Sequence, residues 1–362
     1  MGPFIDGLAP VVKGFEITDT EAMMKLNYLR TVCLIGALAL LTPEAGAVEV
    51  SPLSTAEREA WKTIRADPLP KKLTQGIHFW VSDEAHHHLF RETLTDKGGV
   101  YVGIGTNQNF AMAAWQRPEL IVLLDFDQTI IDLHAVYAVI FAHAKTPEEH
   151  LALWEKKQAK QVRALITEAM DGDSKEETTR RDRALRAYKY GRERVRRGLE
   201  KMRTRYASLN EPSFMNSQTE YDWIRSMSMA GRIIAIRGDL TGPRTLVDLA
   251  GVLESQGRKV TTFYLSNTEQ YFRYTKRFRR NMLGLPLADD AVVLRTRAWR
   301  VGGKPRPGKK KKPLYYAYVV QSFADWRTWL ELPKARTVLD VMPRGYRVKN
   351  ALVQATAAPI AK

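Results

Sequence analysis

Four apolar runs in this chain stop at residues that can do chemistry. Val100–Ile104 leads into Gly105-Thr106-Asn107-Gln108-Asn109, and Leu120–Leu124 ends at Asp125-Phe126-Asp127. Ile233–Ile236 is followed by Gly238-Asp239, and Val260–Leu265 by Ser266-Asn267-Thr268-Glu269. Glycines such as Gly103 and Gly105 let a backbone approach a ligand closely. An acid ending the next strand, here Asp125, can accept hydrogen bonds from ribose hydroxyls. Asn107 and Asn109 offer amides to a polar ligand, and equally suit turn formation and helix capping.

The second of these ends also reads another way. Asp125-Phe126-Asp127-Gln128-Thr129 resembles the D-x-D-x-T motif of haloacid-dehalogenase-type phosphatases. That resemblance implies Asp125 as the nucleophile on phosphorus and Asp127 as acid/base, since a carboxylate nucleophile needs a nearby proton donor. Ser266, Lys259 or Lys276, and Asp289-Asp290 would then complete a magnesium site. His86-His87-His88 falls on an expected helix, where consecutive side chains diverge and cannot chelate one ion. No other metal pattern is legible. No serine sits in a G-x-S-x-G elbow, and the lone cysteine, Cys33, lies outside the expected mature chain.

The elements that must position these residues alternate in type. Short apolar strands at 100–104, 120–124, 233–236 and 260–265 are separated by helical patterns at 110–116, 128–145 and 245–256. Ser54–Ala66 reads as a short amphipathic helix stopped by Pro68 and Pro70. Ser82 is expected to cap a helix through Leu94, with Asp83 and Glu84 in its first turn. Thr146, Pro147 and Glu149 spell a capping box. Residues 160–206 read as a basic helical stretch interrupted at Gly172 and Gly191. Ala291–Thr296 and Tyr315–Gln321 pair as a hairpin around a lysine-rich loop, and Ala324–Leu330 is a last helix. Alternation of this kind argues a parallel sheet covered on both faces, with ligands at the carboxyl ends of its strands.

Composition fits a globular protein: 362 residues, 44% hydrophobic and 27% charged. Residues 24–47 read as a secretory signal: a basic start at Lys25 and Arg30, an apolar core Thr31–Leu41, and the small-residue site Ala45-Gly46-Ala47. The apolar core is shorter than the roughly 20 residues of a membrane span. A periplasmic or secreted product is expected, starting at Val48, with Met24 as the start and residues 1–23 a misassigned extension. Net charge is +16, and residues 1–47 carry three Lys/Arg and five Asp/Glu, leaving +18 on the remainder. Such a charge favours anionic partners. Outside the cytoplasm these are envelope polymers or lipid headgroups rather than nucleic acid, met through residues 180–205 and 304–312.

The segments YVGIGTNQNF, the strand ending at Asp125, IRGDLTGPRTL and KVTTFYLSNTEQYF resemble class I S-adenosylmethionine-dependent methyltransferases in architecture. More closely, they are similar to an uncharacterised bacterial family sharing that Rossmann-like fold. The resemblance spans roughly 82–132 and 214–287. It implies S-adenosylmethionine as cofactor, with Gly103 and Gly105 under its methionine part and Asp125 on the ribose. It also implies Asp239 near the adenine, and Ser266, Asn267 and Glu269 facing an acceptor. The expected architecture is therefore a Rossmann-like, mostly parallel α/β domain formed by 82–145 and 212–330. A basic helical insertion, 146–211, lies between its second and third strands. An N-terminal helical segment, 48–81, precedes it and a tail, 331–362, follows. Three functions remain open: a methyltransferase-like ligand-binding protein, a phosphohydrolase, and a non-catalytic envelope protein.

Overall fold

The computed structural model describes residues 50–300 and 314–359. The expected signal 24–47, the extension before Met24, the loop 302–313 and the final residues 360–362 lie outside them. Among the described residues seven strands form one sheet, in the order β3-β2-β1-β4-β5-β6-β7. They are β1 Val100–Ile104, β2 Leu120–Asp125, β3 Ile233–Arg237, β4 Val260–Tyr264, β5 Leu287–Arg300, β6 Leu314–Ser322 and β7 Ala351–Gln354.

The first five strands run parallel, β6 returns antiparallel against β5, and β7 lies parallel to β6. This is a Rossmann-like order. Strand periodicity explains how the sheet is covered. Val100, Val102 and Ile104 face one core with Leu120, Val122 and Leu124, while Tyr101, Ile121 and Leu123 face another. Successive side chains of a strand point to opposite faces, so runs apolar at every position must be buried on both.

Helices fill the two faces. On one side lie α1 Thr55–Lys62, α9 Thr245–Ser255, α10 Lys276–Leu283 and α11 Phe323–Glu331. On the other lie α2 Arg91–Leu94, α3 Gln108–Gln116, α4 Gln128–His143 and the helices that follow it: α5 Pro147–Ala152, α6 Ala159–Ala169, α7 Lys175–Ser208 and α8 Gln218–Met229. Helices α5–α8 fill the long crossover from β2 to β3, so the expected insertion is present. Ser174 caps α7 through a capping box with Glu177. Highly charged though it is, α7 buries Ala184, Ala187, Tyr188, Gly191, Val195, Leu199, Met202 and Tyr206. That three-or-four-residue spacing is an apolar stripe facing the core.

Three sequence expectations change. The chain at 82–86 is not helical: a 3₁₀ turn starts at His87 and α2 only at Arg91. Gly191 does not interrupt α7, because its missing side chain admits a neighbouring segment. After α11, α12 Val338–Val341 and β7 continue the fold, and β7 extends the sheet.

Candidate functional site

Strands β1, β2 and β3 are laid down in one direction from the centre, and β4 and β5 in the other. The order reverses between β1 and β4, and the crevice beyond their carboxyl ends is where open α/β sheets bind ligands. In this protein a strap from the N-terminal side of β1 crosses that edge. Its residues 64–86 form no α-helix, consistent with Pro68 and Pro70, which impose extended backbone on the residues before them.

Three acidic contacts hold the strap. At the end of β3, Asp67 accepts from the backbone N–H of Asp239 at 3.1 Å and of Arg244 at 2.9 Å. A Cβ on Gly242 would lie 2.1 Å from the Asp67 carboxylate, so glycine is needed for this approach. At the end of β2, His78 Nδ1 lies 2.6 Å from Asp127 Oδ2. At the reversal itself Glu84 enters the crevice with its side chain 1% exposed.

Glu84 is the most heavily coordinated group at this edge. Ser266 Oγ donates to its Oε1 at 2.6 Å and Thr296 Oγ1 at 2.5 Å. The Tyr264 hydroxyl donates to Oε2, and His87 Nε2 lies 2.9 Å from the same oxygen. Burial pushes the Glu84 pKa up, but the hydrogen bond and charge of His87, with the hydroxyls of Ser266 and Thr296, outweigh it, and the net direction is down. The carboxylate is thus held ionised. Ser266 adopts φ +52°, a left-handed conformation uncommon outside glycine. Such strained residues gather at functional sites.

A cavity of about 100 Å³ remains beneath the strap. Gly105, Thr106, Gln108, Asp125, Ser266 and Asn267 line it from the sheet side, with Phe79 and Ser82 among the strap residues above. Gly105 has φ +98°, which permits the turn after β1, and His134 Nε2 supports its carbonyl from below at 2.8 Å. Asp125 accepts from the Asp127 N–H at 2.9 Å. Its carboxyl is enclosed, although the residue keeps some surface toward the cavity. Burial raises its pKa to about 7, assisted by the Asp127 charge and opposed by the backbone N–H groups of Asp127 and Phe126.

The other expected site residues have different duties. Asn109 is fully buried and turned into the domain. It accepts from the Tyr101 hydroxyl at 2.8 Å and donates to the Ile104 and Thr106 carbonyls, each at 3.1 Å. A Cβ on Gly103 would lie 2.1 Å from Asn109 Oδ1, so the space that glycine leaves is taken by the protein's own amide. Asn107 does not line the cavity under the strap, and its Oδ1 accepts from the Thr106 hydroxyl at 3.2 Å. Asp239 is occupied with the N–H and hydroxyl of Thr241, at 2.7 and 2.8 Å. Glu269 lies 2.6 Å from the buried Arg295 guanidinium and accepts from the Tyr274 hydroxyl, so it faces the core rather than an acceptor.

The acidic pair expected to complete a phosphatase magnesium site does not join Asp125 and Asp127. Leu287 is in register with Val260 at the start of β4, so Asp289 and Asp290 begin β5 at the amino edge of the sheet. There Asp290 pairs with Lys97 at 2.5 Å. Asp125 and Asp127 stand at the opposite edge, and the Asp127 carboxylate is taken up by His78 and by the Thr129 N–H. Lys259 also precedes β4, at the wrong end for a phosphate on Asp125.

Four residues central to the site were not singled out as such from the sequence: His78, Glu84, His87 and Gln108. Glu84 had a visible signal, an acid placed after Ser82. Only its distance from the strands concealed that it reaches β4.

A second, larger cavity, about 620 Å³, opens on the other side of the strap. The strap forms one wall and α7 the other, and Asn107 and Gln108 form part of the lining. Among the described residues no helix is long and apolar enough to cross a membrane. The family described as Domain of unknown function (DUF7790) matches residues 79–356, so the chain belongs to that family. No curated protein matches it.

Proposed function

We propose that this member of a family without an assigned activity binds a polar, nucleotide-type small molecule at the carboxyl edge of β1, β2 and β4. The observation carrying this reading is the convergence of Gly105, Asp125, Ser266 and Asn267, from three strand ends, on one cavity where the strand order reverses. Rossmann-like sheets bind ligands at that point. Asp125 is the residue assigned to the ligand's hydroxyls. With a pKa near neutrality it can also give or take a proton, which is the property an acid–base group needs.

S-adenosylmethionine, implied by the resemblance to methyltransferases, does not fit while the strap is seated as described. The cavity holds about 100 Å³, whereas sites for ligands of that size run to roughly 300–1,000 Å³. The space beside Gly103 is filled by Asn109. A nucleoside-sized ligand therefore requires the strap to shift. Methyl transfer accordingly has no part in the proposal. Export through residues 24–47 is part of it, on the sequence pattern alone.

The test is calorimetric titration of the full chain with S-adenosylmethionine, S-adenosylhomocysteine and adenosine, repeated on Asp125→Ala. Saturable binding to any of them, lost in the variant, supports the reading. Binding that ignores the substitution would move the site elsewhere, and the absence of binding by all three would overturn a nucleotide-type ligand.

A further inference from the structure

The larger cavity between the strap and α7 has a charge pattern of its own. Arg194, Arg197, Lys201 and Arg205 line it from α7. Their spacing puts them on one face of the helix, along about 16 Å at the usual helical rise. Some other arginines of α7 are paired with acids, Arg183 with Asp132, Arg196 with Glu193 and Glu200, and Arg203 with Glu148, while what sets Arg194, Arg197, Lys201 and Arg205 apart is that they face one cavity. Arg194 and Lys201 pair with no carboxylate among the described residues. Arg197 shares Glu193 at 2.7 Å, and Arg205 reaches only the Ala85 carbonyl, at 3.3 Å.

The acids on the facing wall do not compensate. Glu84 is enclosed by its four donors, and burial pushes the Asp83 carboxyl up from the usual carboxylate range. The wall itself is built by close approach. A Cβ on Gly191 would lie 2.4 Å from the Trp80 ring, and one on Gly198 would lie 2.5 Å from Val81. Two glycines one heptad apart thus seat the strap on α7 and hold the cationic face open beside it.

We propose that this cavity is a binding site for a small polyanion carrying two or more phosphoryl groups, gripped by Arg194 and Lys201 with Arg205 and Arg197 beside them. Guanidinium and ammonium donors make charge-assisted hydrogen bonds to phosphate oxygens. A row of cations, rather than one, suits a chain of phosphates. The site is independent of whether the strand-edge cavity takes a nucleotide.

The test titrates the full chain with inorganic tripolyphosphate and, separately, with a nucleoside triphosphate, in buffer of physiological ionic strength. Arg194→Glu/Lys201→Glu is compared with Arg180→Glu/Lys189→Glu, which makes the same charge change on exposed positions of α7 outside this cavity. Thermal unfolding shows that both variants keep the fold. The expected result is saturable one-to-one binding, weakened at least about tenfold in the first variant and less than about twofold in the second, since each charge-assisted hydrogen bond contributes more than the roughly 1.4 kcal/mol of a tenfold step. Preference for the nucleoside triphosphate would place its base against the strap, and equal affinity would assign the grip to the phosphates alone. Equal losses in the two variants, or no saturable binding of either probe, would overturn the site.

Discussion

Substituting Asp125 by Asn should make the protein more stable at pH 8 and change it little at pH 4. In the folded state the Asp125 pKa stands at about 7, against an ordinary value of 3.8. The fold therefore favours the protonated acid. The group's contribution to stability is fully present below the unfolded value. It declines as pH rises toward 7 and is constant above that. About three pKa units at roughly 1.4 kcal/mol each set an upper bound of about 4 kcal/mol. The side of the residue open to the cavity admits water, which screens the charge, so about 2–4 kcal/mol is expected. Asparagine removes the charge and keeps an oxygen for the Asp127 N–H that now bonds Asp125 at 2.9 Å. Urea unfolding of the full chain and the variant between pH 4 and 8 isolates the effect, because every other titrating group cancels in the difference. The difference should grow with pH and level off above about 7. A difference independent of pH, or a variant less stable at pH 8, would refute the argument that the enclosed carboxyl is poised near neutrality.

Two further substitutions probe the strap. Glu84→Ala leaves the Tyr264, Ser266, Thr296 and His87 donors without their acceptor and should cost about 3–5 kcal/mol, read as a lowered urea midpoint at pH 7. Because the Glu84 pKa is lowered, the part of its contribution that comes from ionisation is present above the unfolded value of 4.5 and lost as pH falls through the folded value, so the gap between wild type and variant should narrow in acid. Gly198→Val drives a side chain into Val81, and such overpacking costs about 1–3 kcal/mol. It should also expose the 66–85 segment to limited proteolysis. Unchanged cleavage and midpoint would show that the strap is not seated on α7.

Much of the sheet was legible because its signal is local. A central parallel strand is buried on both faces, so Val100–Ile104 and Leu120–Leu124 read as unbroken apolar runs between turn residues. Asp125, Gly105, Ser266 and Asn267 could be named because each follows such a run directly. Boundaries failed where pattern and packing diverge. Ser82-Asp83-Glu84 has the composition of a helix start, yet Glu84 has stronger partners in Tyr264 of β4 and Thr296 of β5 than the dipole of one helical turn offers. Gly191 reads as a helix breaker, yet it lies within α7 because only glycine admits Trp80 there.

The alternation of strands and helices, the basic insertion and the chemistry at each strand end are all written in residues a few positions apart, and so were legible in the chain. Tertiary structure alone decided which of those residues face one space. Asn109 turned inward to fill the room beside Gly103, Glu269 went to the buried Arg295, and Asp289-Asp290 went to the far edge of the sheet. It also brought residues 67, 78 and 84 across the ends of β3, β2 and β4, over 100 residues from some of their partners. The physical reason is that a buried carboxylate must find donors wherever the chain brings them, and sequence spacing carries no record of contacts made across a sheet.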